Sequence, residues 1–166
     1  MTDTIRVIQY GLGPIGSATA RLIDERDNLE LVGAVDIDPA KIGQDVGELI
    51  GLDHDLGIET REKLAEVGVE ADVVVHTTNS YFELFTDQVL EILEAGFDIV
   101  STSEELSFPW TDNPDQAARL DEAARAAGKT VLGTGVNPGF LMDSLPLFMT
   151  SIAQQVDHID VTRVIN

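Results

Sequence analysis

The sequence contains no cysteine, few aromatic residues and no long apolar run. Without cysteine, disulfides, thiolate chemistry and cysteine-based zinc sites are excluded. No stretch reaches the roughly 18 apolar residues of a membrane span, and no basic region followed by an apolar core precedes the first strand-like segment. We therefore expect a cytoplasmic protein without a membrane-spanning helix or a secretory leader.

Basic residues are also scarce. Ten lysines and arginines stand against 30 acidic residues, and Lys41, Lys63 and Lys129 are the only lysines. Because the acids are spread along the chain, the predicted surface repels nucleic acid and anionic membranes. The acidity could serve a basic partner or be an adaptation to very high salt, where self-repulsion is screened. The dispersal and the shortage of lysine favour salt adaptation, hence a halophilic source.

Residues 5–36 combine a strand, a glycine-rich turn, a helix and a second strand. The first strand leads into GLGPIG at positions 11–16, and the second, Leu29–Val35, ends on Asp36. An acid at this distance beyond GxGxxG is typical of a dinucleotide-binding βαβ unit. The apolar face of the helix is expected to comprise Ile15, Ala18, Leu22 and Ile23.

Several residues of this unit have a definite physical role. Gly11 permits a tight turn, Gly13 lets the backbone approach a pyrophosphate, and Gly16 lets the helix lie close to the strand. Pro14 suits the first helical position, and the helix N-terminus offers free N–H groups to phosphates. Asp36 would accept hydrogen bonds from the 2′- and 3′-hydroxyls of a ribose. The alternative is a structural glycine turn beside a solvated Asp36. The predicted cofactor-binding residues here are Gly11, Gly13, Pro14, Ile15, Gly16 and Asp36.

The rest of the chain alternates apolar strands with amphipathic helices, which predicts an α/β fold. We expect a Rossmann-type doubly wound parallel sheet in a three-layer αβα arrangement. The predicted strands are Ala71–Val75, Phe97–Val100 and Thr130–Leu132, and the predicted helices are Arg61–Val67, Tyr81–Ala95, Asn113–Ala127 and Phe140–Ile152. The expected core positions of the second of these helices are Phe82, Phe85, Val89, Ile92 and Leu93.

Small polar residues and glycines follow three of the predicted strands. In open parallel sheets, ligands gather at the carboxyl ends of the strands. We therefore predict that these segments contact the cofactor; the alternative is that they only turn the chain and cap the following helices. The predicted contacts are Thr77, Thr78, Asn79, Ser101, Gly135 and Asn137.

Two carboxylates, Glu104 and Glu105, follow the strand that ends near Val100. A carboxylate beside a nicotinamide could hold a substrate ammonium group or move a proton during imine chemistry. The alternative is that both are further surface acids of an acidic protein. By contrast, His54 lies between Asp53 and Asp55, and three adjacent side chains cannot enclose an ion with good geometry. We interpret it as an exposed loop residue and predict no metal site.

The last segment, Val156–Ile165, alternates apolar and polar residues, as half-buried antiparallel strands do. It predicts the first strand of a second domain that is not part of the sequence. The corresponding division is a dinucleotide-binding domain over 1–153 and the start of a substrate and dimerisation domain over 154–166. The alternative is an edge strand that closes the first domain.

These motifs resemble the N-terminal domain of the dihydrodipicolinate reductase-like superfamily, and most closely its branch of 2,4-diaminopentanoate dehydrogenases and native amine dehydrogenases. The segments that carry the resemblance are YGLGPIG at 10–16, VDIDP at 35–39, HTTNS at 76–80, STSEELSFPW at 101–110 and GTGVNPGF at 133–140. The histidine- and lysine-rich motif of classical dihydrodipicolinate reductases has no match here.

The resemblance implies a Rossmann domain that binds NAD(P), followed by an α/β domain that supplies much of the substrate pocket and the dimer contact. It implies reversible oxidative deamination of a small amine through an imine, with Glu104 as the catalytic residue and Glu105 as the adjacent alternative. Enzymes of this type are about twice the length of this chain. The chain alone is thus expected to be inactive and the whole protein to be a homo-oligomer.

Three hypotheses follow for function. The favoured one is an NAD-dependent amine dehydrogenase, with NADP possible, because the Asp36 carboxylate repels a 2′-phosphate and no arginine follows it. The second is a non-catalytic dinucleotide sensor that acts through a partner and needs only the glycine loop and Asp36. A methyltransferase that uses S-adenosylmethionine is disfavoured by the compact GxGxxG motif and the helix start at Pro14.

Overall fold

The computed structural model describes residues 4–136 and 139–164, which contain a six-stranded parallel sheet with helices on both faces. The strands are β1 (Ile5–Tyr10), β2 (Leu29–Val35), β3 (Thr60–Arg61), β4 (Val73–His76), β5 (Asp98–Ser101) and β6 (Val131–Gly133). The α-helices are α1 (Pro14–Asp24), α2 (Val46–Ile50), α3 (Phe82–Glu94), α4 (Pro114–Ala127) and α5 (Leu145–Met149). Short 3₁₀ turns span Leu64–Glu66, Glu104–Leu106 and Thr150–Ile152.

The strand order is β3-β2-β1-β4-β5-β6, so the sheet is wound in opposite directions from β1. Tyr10, the last residue of β1, pairs with Val35 at the end of β2 and with His76 at the end of β4. The reversal between β1 and β4 creates the crevice in which ligands of open α/β sheets bind. The predicted Rossmann-type sheet is confirmed.

Two apolar clusters, one on each face of the sheet, form the core. One joins β-strand residues such as Ile8 to α3 and α4, and the other joins Val7 to α1 and α2. The predicted core positions of α3 are correct, since all five are buried: Phe82, Phe85, Val89, Ile92 and Leu93. Together with the sheet they give the expected three layers.

The predicted buried face of α1 is wrong for three of its four residues. The buried residues are Gly16, Ala20 and Ile23, which are spaced at helical intervals and face the sheet. Ile15, Ala18 and Leu22 are exposed instead. The cause is Gly16, because its close approach to the sheet fixes the rotation of the helix and turns its neighbours towards solvent.

Other boundaries differ by a few residues. The predicted helix Arg61–Val67 is instead the end of β3 and a 3₁₀ turn, because the segment adds an edge strand beside β2. β4 extends to His76, one residue beyond the predicted end. The predicted helix Phe140–Ile152 is divided into a π-helical turn over Phe140–Ser144, then α5 and a final 3₁₀ turn.

The predicted strand Val156–Ile165 is wrong over its described residues, 156–164, which are exposed and contain no strand. An alternating pattern marks a strand only where another strand offers hydrogen bonds, and a lone strand has no such partner. Ile165 lies outside the described residues. The proposed domain boundary near residue 153 therefore stays a prediction.

Candidate functional site

The glycine-rich loop lies at the reversal point, between the end of β1 and the start of α1. Gly11 has φ of +94°, and a Cβ atom there would lie 2.9 Å from the Thr77 carbonyl oxygen. A Cβ on Gly16 would overlap the carbonyl oxygen of Gly11. Apart from its two chain neighbours, no heavy atom of the described residues lies within 4 Å of a Cβ built on Gly13. The loop is therefore close-packed at both ends and open at Gly13, as a backbone that receives a pyrophosphate must be.

The start of α1 supports the same interpretation. Pro14 occupies the first turn, and the first helical hydrogen bond of this turn runs from Ser17 N to Gly13 O at 2.8 Å. Within the described part of the chain, the first turn of α1 contains no acidic side chain. Gly13 is the N-cap residue, and no side chain forms a capping hydrogen bond with this turn. The free N–H groups and the positive end of the helix dipole are thus available to an anion. Ile15 lies beside this opening with its side chain exposed.

Two buried side chains, those of Gln9 and Thr77, fix the loop by hydrogen bonds to Gly11. The Gly11 carbonyl oxygen accepts hydrogen bonds from Gln9 Nε2 at 2.8 Å and from Thr77 Oγ1 at 2.9 Å. Gln9 Nε2 also lies 2.7 Å from Thr77 Oγ1. Thr77, predicted to contact the cofactor, thus braces the loop. Gln9 was missed, although a fully buried glutamine within an apolar strand was its signal.

Asp36 lies opposite the loop at the end of β2 and is 8% exposed. Its Oδ2 accepts hydrogen bonds from Leu12 N at 2.7 Å and from Lys41 Nζ at 3.1 Å. Its Oδ1 accepts one from Asp38 N at 2.9 Å. A carboxylate offers about four acceptor positions, so one remains, on Oδ1, among the described residues. The predicted contact of Asp36 with the 2′- and 3′-hydroxyls of a ribose stays a prediction, and this free position is available for it.

These bonds keep the carboxylate ionised. Burial raises the pKa of Asp36, but the hydrogen bonds from the backbone of Asp38 and Leu12, and then Lys41, outweigh it and lower the pKa below its usual range. Lys41 was not predicted as a site residue. Its signal was its rarity, as one of three lysines, five positions after Asp36.

The ends of β4 and β5 are joined by a buried network around His76. His76 Nδ1 lies 2.9 Å from Ser101 Oγ, and its Nε2 lies 2.9 Å from Gln88 Oε1 and 2.8 Å from Thr78 Oγ1. Because an amide oxygen only accepts, the consistent assignment protonates Nε2 and lets Nδ1 accept from Ser101. Ser101, predicted to contact the cofactor, is fully buried in this network. Thr78 belongs to this network through its hydrogen bond with His76 and also lines the cleft, so it connects the two.

The two candidate catalytic carboxylates lie in different surroundings. Glu105 Oε2 accepts a hydrogen bond from Phe82 N at 2.7 Å, at the start of α3. Glu104 Oε2 is buried and has no hydrogen-bond partner among the described residues. Glu104 also lines a cleft with Ile15, Thr78, Asn79 and Gly135. The structure therefore brings Glu104, and not Glu105, together with the predicted cofactor contacts.

A second cleft lies on the other side of the glycine loop. It is lined by Gly11, Gly13, Asp36, Lys41 and Thr78. Thr77 and Thr78 border both clefts, so the two together follow the carboxyl edge of the sheet from Asp36 to Glu104. Asn137, another predicted contact, lies outside the described residues.

The described residues contain no group of three or more histidine, aspartate or glutamate side chains that could hold a metal ion. His54 is exposed and pairs with Asp53 at 2.9 Å. Among the helices of residues 4–136 and 139–164, none combines the length and apolarity needed to cross a membrane.

The strand order, the glycine loop open at Gly13 and the acid at the end of β2 define a Rossmann-type dinucleotide-binding domain. Residues 5–127 match the family model described as dihydrodipicolinate reductase, N-terminus. The chain belongs to this family, and the resemblance drawn from its motifs is confirmed.

Two relatives come from the same branch of oxidoreductases. The chain is 31% identical to 2,4-diaminopentanoate dehydrogenase of Acetoanaerobium sticklandii, over 98% of this chain and 46% of that protein. The structure of amine dehydrogenase from Mycobacterium smegmatis is similar with a TM-score of 0.84 and 34% identity, over 92% of this chain and 45% of that one.

A more distant structure is that of the WlbA dehydrogenase from Chromobacterium violaceum, solved with NADH and UDP-GlcNAcA. Its TM-score is 0.59 at 27% identity, over 82% of this chain and 36% of that one. The chain spans about half the length of the curated relatives it matches, as the 46% for the first of them shows.

Proposed function

We propose that the chain is the cofactor domain of an NAD(P)-dependent dehydrogenase that oxidises a small primary amine. The observation that carries the proposal is Glu104, which lines the cleft with Thr78 and Gly135 and whose Oε2 is buried without a hydrogen-bond partner among the described residues. A buried acceptor without a partner is costly, and a substrate ammonium group would supply the missing hydrogen bond. The names of the amine dehydrogenase relatives support this substrate class.

The chemistry that NAD(P)⁺ would supply when bound is that of a hydride acceptor for the carbon that bears the amine. For that transfer the substrate nitrogen must be neutral, so that its lone pair can form the C=N bond as the C–H bond breaks. In this proposal Glu104 would take one proton from the ammonium group and thus act as the general base. Water then adds to the iminium carbon and ammonia leaves, which yields the carbonyl product.

The glycine loop and the N-terminus of α1 would hold the pyrophosphate, and Asp36 would bind the ribose of the adenosine. Thr78 and Gly135 line the cleft shared with Glu104, which supports the proposal that the nicotinamide end would lie there. This cleft is open to solvent, and hydride transfer requires water to be excluded. We therefore propose that a further domain closes the site in the full-length protein and supplies the dimer contact, and that the 166 residues alone turn over little amine.

The experiment is Glu104→Gln in the full-length protein, with amine-dependent reduction of NAD⁺ and the dissociation constant of NADH both measured. Loss of the base should lower kcat by about 100-fold or more while the NADH dissociation constant stays the same. Glu105→Gln is the matched control, because it changes the adjacent carboxylate in the same way and should retain most of the activity.

Unchanged turnover in Glu104→Gln would contradict this role. Binding of NADH without any amine oxidation, in either protein, would instead favour the non-catalytic dinucleotide sensor. A sensor needs the glycine loop and Asp36 but gives no reason for an unpartnered Glu104.

The acidic composition supports further proposals about the setting. A net charge of −20, with ten basic residues, is suited to a cytoplasm of very high salt concentration, where ions screen the repulsion between like charges. We propose a halophilic, cytoplasmic protein that acts on a small molecule as a homo-oligomer. Nucleic acid and anionic membranes are poor partners for such a surface.

A further inference from the structure

We propose that Gln88 is a positioning residue of the cofactor site, which makes the Thr78 hydroxyl an acceptor, and not a donor, of a hydrogen bond from the nicotinamide nucleoside. The inference rests on the proposed dinucleotide site and deepens it, because it names the kind of group that Thr78 would bind. Gln88 belongs to α3 and is half-buried, whereas Thr78 is exposed two residues after β4. Thr78 Oγ1 lies 2.6 Å from Gln88 Oε1 and 2.8 Å from His76 Nε2.

The direction of these hydrogen bonds is set at Ser101, which is fully buried. Its Oγ accepts a hydrogen bond from Ser103 N at 3.1 Å and lies 2.9 Å from His76 Nδ1. Among the described residues, the Ser101 hydroxyl has no other acceptor, and a buried hydroxyl hydrogen without an acceptor is costly. Ser101 therefore donates to His76 Nδ1.

The His76 ring passes this direction on to Gln88. Burial lowers the pKa of His76, so at neutral pH the ring carries one proton, which lies on Nε2 when Nδ1 accepts. Nε2 lies 2.9 Å from Gln88 Oε1, the acceptor of the amide. With its NH₂ group turned to Nε2 instead, Gln88 would require the ring proton on Nδ1, and the Ser101 hydroxyl hydrogen would lose its acceptor. The oxygen of Gln88 therefore faces His76 and Thr78.

That oxygen takes the one hydrogen of the Thr78 hydroxyl. A hydroxyl has a single hydrogen and two lone pairs. The hydrogen points to Gln88 Oε1, because His76 Nε2 is protonated and cannot accept it. One lone pair faces the Nε2–H group. The second lone pair is left for a ligand, and Thr78 lines both clefts.

An acceptor of this kind distinguishes between the parts of a dinucleotide. Ionised pyrophosphate oxygens carry no hydrogen, so they cannot donate to Thr78. The hydroxyls of the nicotinamide ribose and the NH₂ group of the carboxamide can donate. Thr78 lines the cleft of Glu104, where the nicotinamide end is proposed to lie. The partner of Thr78 is thus a donor of the nicotinamide nucleoside, either the ribose or the carboxamide.

The experiment measures the dissociation constants of ADP, ADP-ribose and NADH for the full-length protein and its variants. ADP contains only the adenosine and the pyrophosphate, ADP-ribose adds the second ribose, and NADH adds the nicotinamide. Thr78→Val removes the hydroxyl at nearly the same shape and should weaken NADH by about 5-fold or more, the effect of one lost hydrogen bond, without changing ADP. Thr78→Ser should retain the affinity for NADH. An equal loss for ADP-ribose identifies the ribose as the donor, and a loss for NADH alone identifies the carboxamide.

Gln88→Met tests the positioning role, because it removes the acceptor of the Thr78 hydrogen at a similar side-chain length. It should weaken NADH several-fold, by no more than Thr78→Val does, and leave ADP unchanged. In the double variant the two losses should not add, because both act through one hydroxyl. The matched control is Gln116→Met, which changes a half-buried glutamine of α4 that lines neither cleft and should leave NADH affinity unchanged.

A second measurement needs no ligand. Nitrogen-15 NMR of the histidine rings should show the proton of His76 on Nε2, in a signal that is absent from His76→Asn. A proton on Nδ1 would overturn the inference, because the Thr78 hydroxyl could then donate to Nε2 and Gln88 could present its NH₂ group.

Two binding results would also overturn it. Equal weakening of ADP and NADH by Thr78→Val would mean that the hydroxyl acts on the adenosine, the pyrophosphate or the fold. Unchanged NADH affinity in Gln88→Met or in Thr78→Val would mean that the hydroxyl needs no positioning or makes no contact. If the unsubstituted protein binds none of the three ligands, the proposed dinucleotide site itself fails, whereas the results above contradict only the roles of Gln88 and Thr78.

Discussion

The side chain of Glu105 reaches the first turn of α3, where its Oε2 accepts a hydrogen bond from Phe82 N at 2.7 Å. The carboxylate thereby satisfies an N–H group that has no acceptor within the helix and places negative charge at its positive end. Its neighbour Glu104 lines the cleft, and its Oε2 is buried without a hydrogen-bond partner among the described residues. Two adjacent glutamates thus have separable tasks, one in the fold and one at the site.

The first prediction concerns stability. Glu105→Ala should lower the free energy of unfolding by about 1 kcal/mol, the usual cost of losing a side-chain cap. Urea denaturation followed by circular dichroism measures it. The matched variant is Glu104→Ala, which removes an unpartnered carboxylate and should leave stability unchanged or higher. A larger loss in Glu104→Ala than in Glu105→Ala would contradict the assignment of the cap.

The second prediction separates binding from folding at the glycine loop. Gly13→Ala should fold normally, because its Cβ meets no described atom within 4 Å, yet bind NADH at least 10-fold more weakly, because the methyl group occupies the approach of the pyrophosphate. Gly16→Ala should lose stability as well, because its Cβ overlaps the Gly11 carbonyl oxygen. Thermal unfolding and NADH fluorescence measure the two effects. Normal NADH affinity in Gly13→Ala would place the phosphates elsewhere.

The third prediction concerns pH. Burial lowers the pKa of His76, whereas an unfolded histidine has a pKa near about 6.5. As the pH falls below that value, His76 binds a proton in the unfolded state but not in the native state, so the free energy of unfolding decreases. His76→Asn should flatten this decrease between about pH 6.5 and 5, above the range of most carboxylates.

His54 provides the comparison for this experiment. It is exposed, and its hydrogen bond with Asp53 raises the pKa of the ring, so its linkage to stability has the opposite sign. His54→Asn should not flatten the decrease. Chemical denaturation at a series of pH values tests both variants, and an unchanged slope in His76→Asn would show that His76 is not the group responsible.

The fourth prediction tests salt adaptation. With a net charge of −20, the melting temperature should rise by several degrees between about 0.1 M and molar KCl, because screening shortens the reach of repulsion from about 10 Å to about 3 Å. Thermal unfolding at both salt concentrations checks it. A melting temperature that does not change would remove the halophilic hypothesis, while the proposed function would stand.

Much of the fold follows from local patterns in the sequence. The spacing of Phe82, Phe85 and Val89 correctly predicted the buried face of α3, because that helix packs along its whole length. The same reasoning failed for α1, whose rotation depends on the contact between Gly16 and Gly11 rather than on apolar side chains. The strand predicted from Val156 failed because pairing needs a second strand, which no local pattern reveals.

The sequence predicted the backbone of the site, which is the glycine loop, better than the contacts of its side chains. The motif indicated the roles of Gly11, Gly13 and Gly16, which the packing around each of them matches. The sequence kept Glu105 as the alternative to Glu104, because only the position of α3 shows that Glu105 is a cap. Lys41 was missed because its rarity and its place five positions after Asp36 are weak signals, and only the turn between them brings the two side chains together.

The bond between Asp36 and Leu12 has a consequence for attempts to redesign the cofactor preference. The usual change is to replace the acid at the end of the second strand, but here the same carboxylate fastens the glycine loop to β2. Such a replacement would loosen the phosphate-binding loop while it altered the ribose contact. Lys41 belongs to the same fastening, because its Nζ donates to the Leu12 carbonyl oxygen at 3.0 Å, whereas the exposed side chain of Asp38 can be changed without breaking either bond.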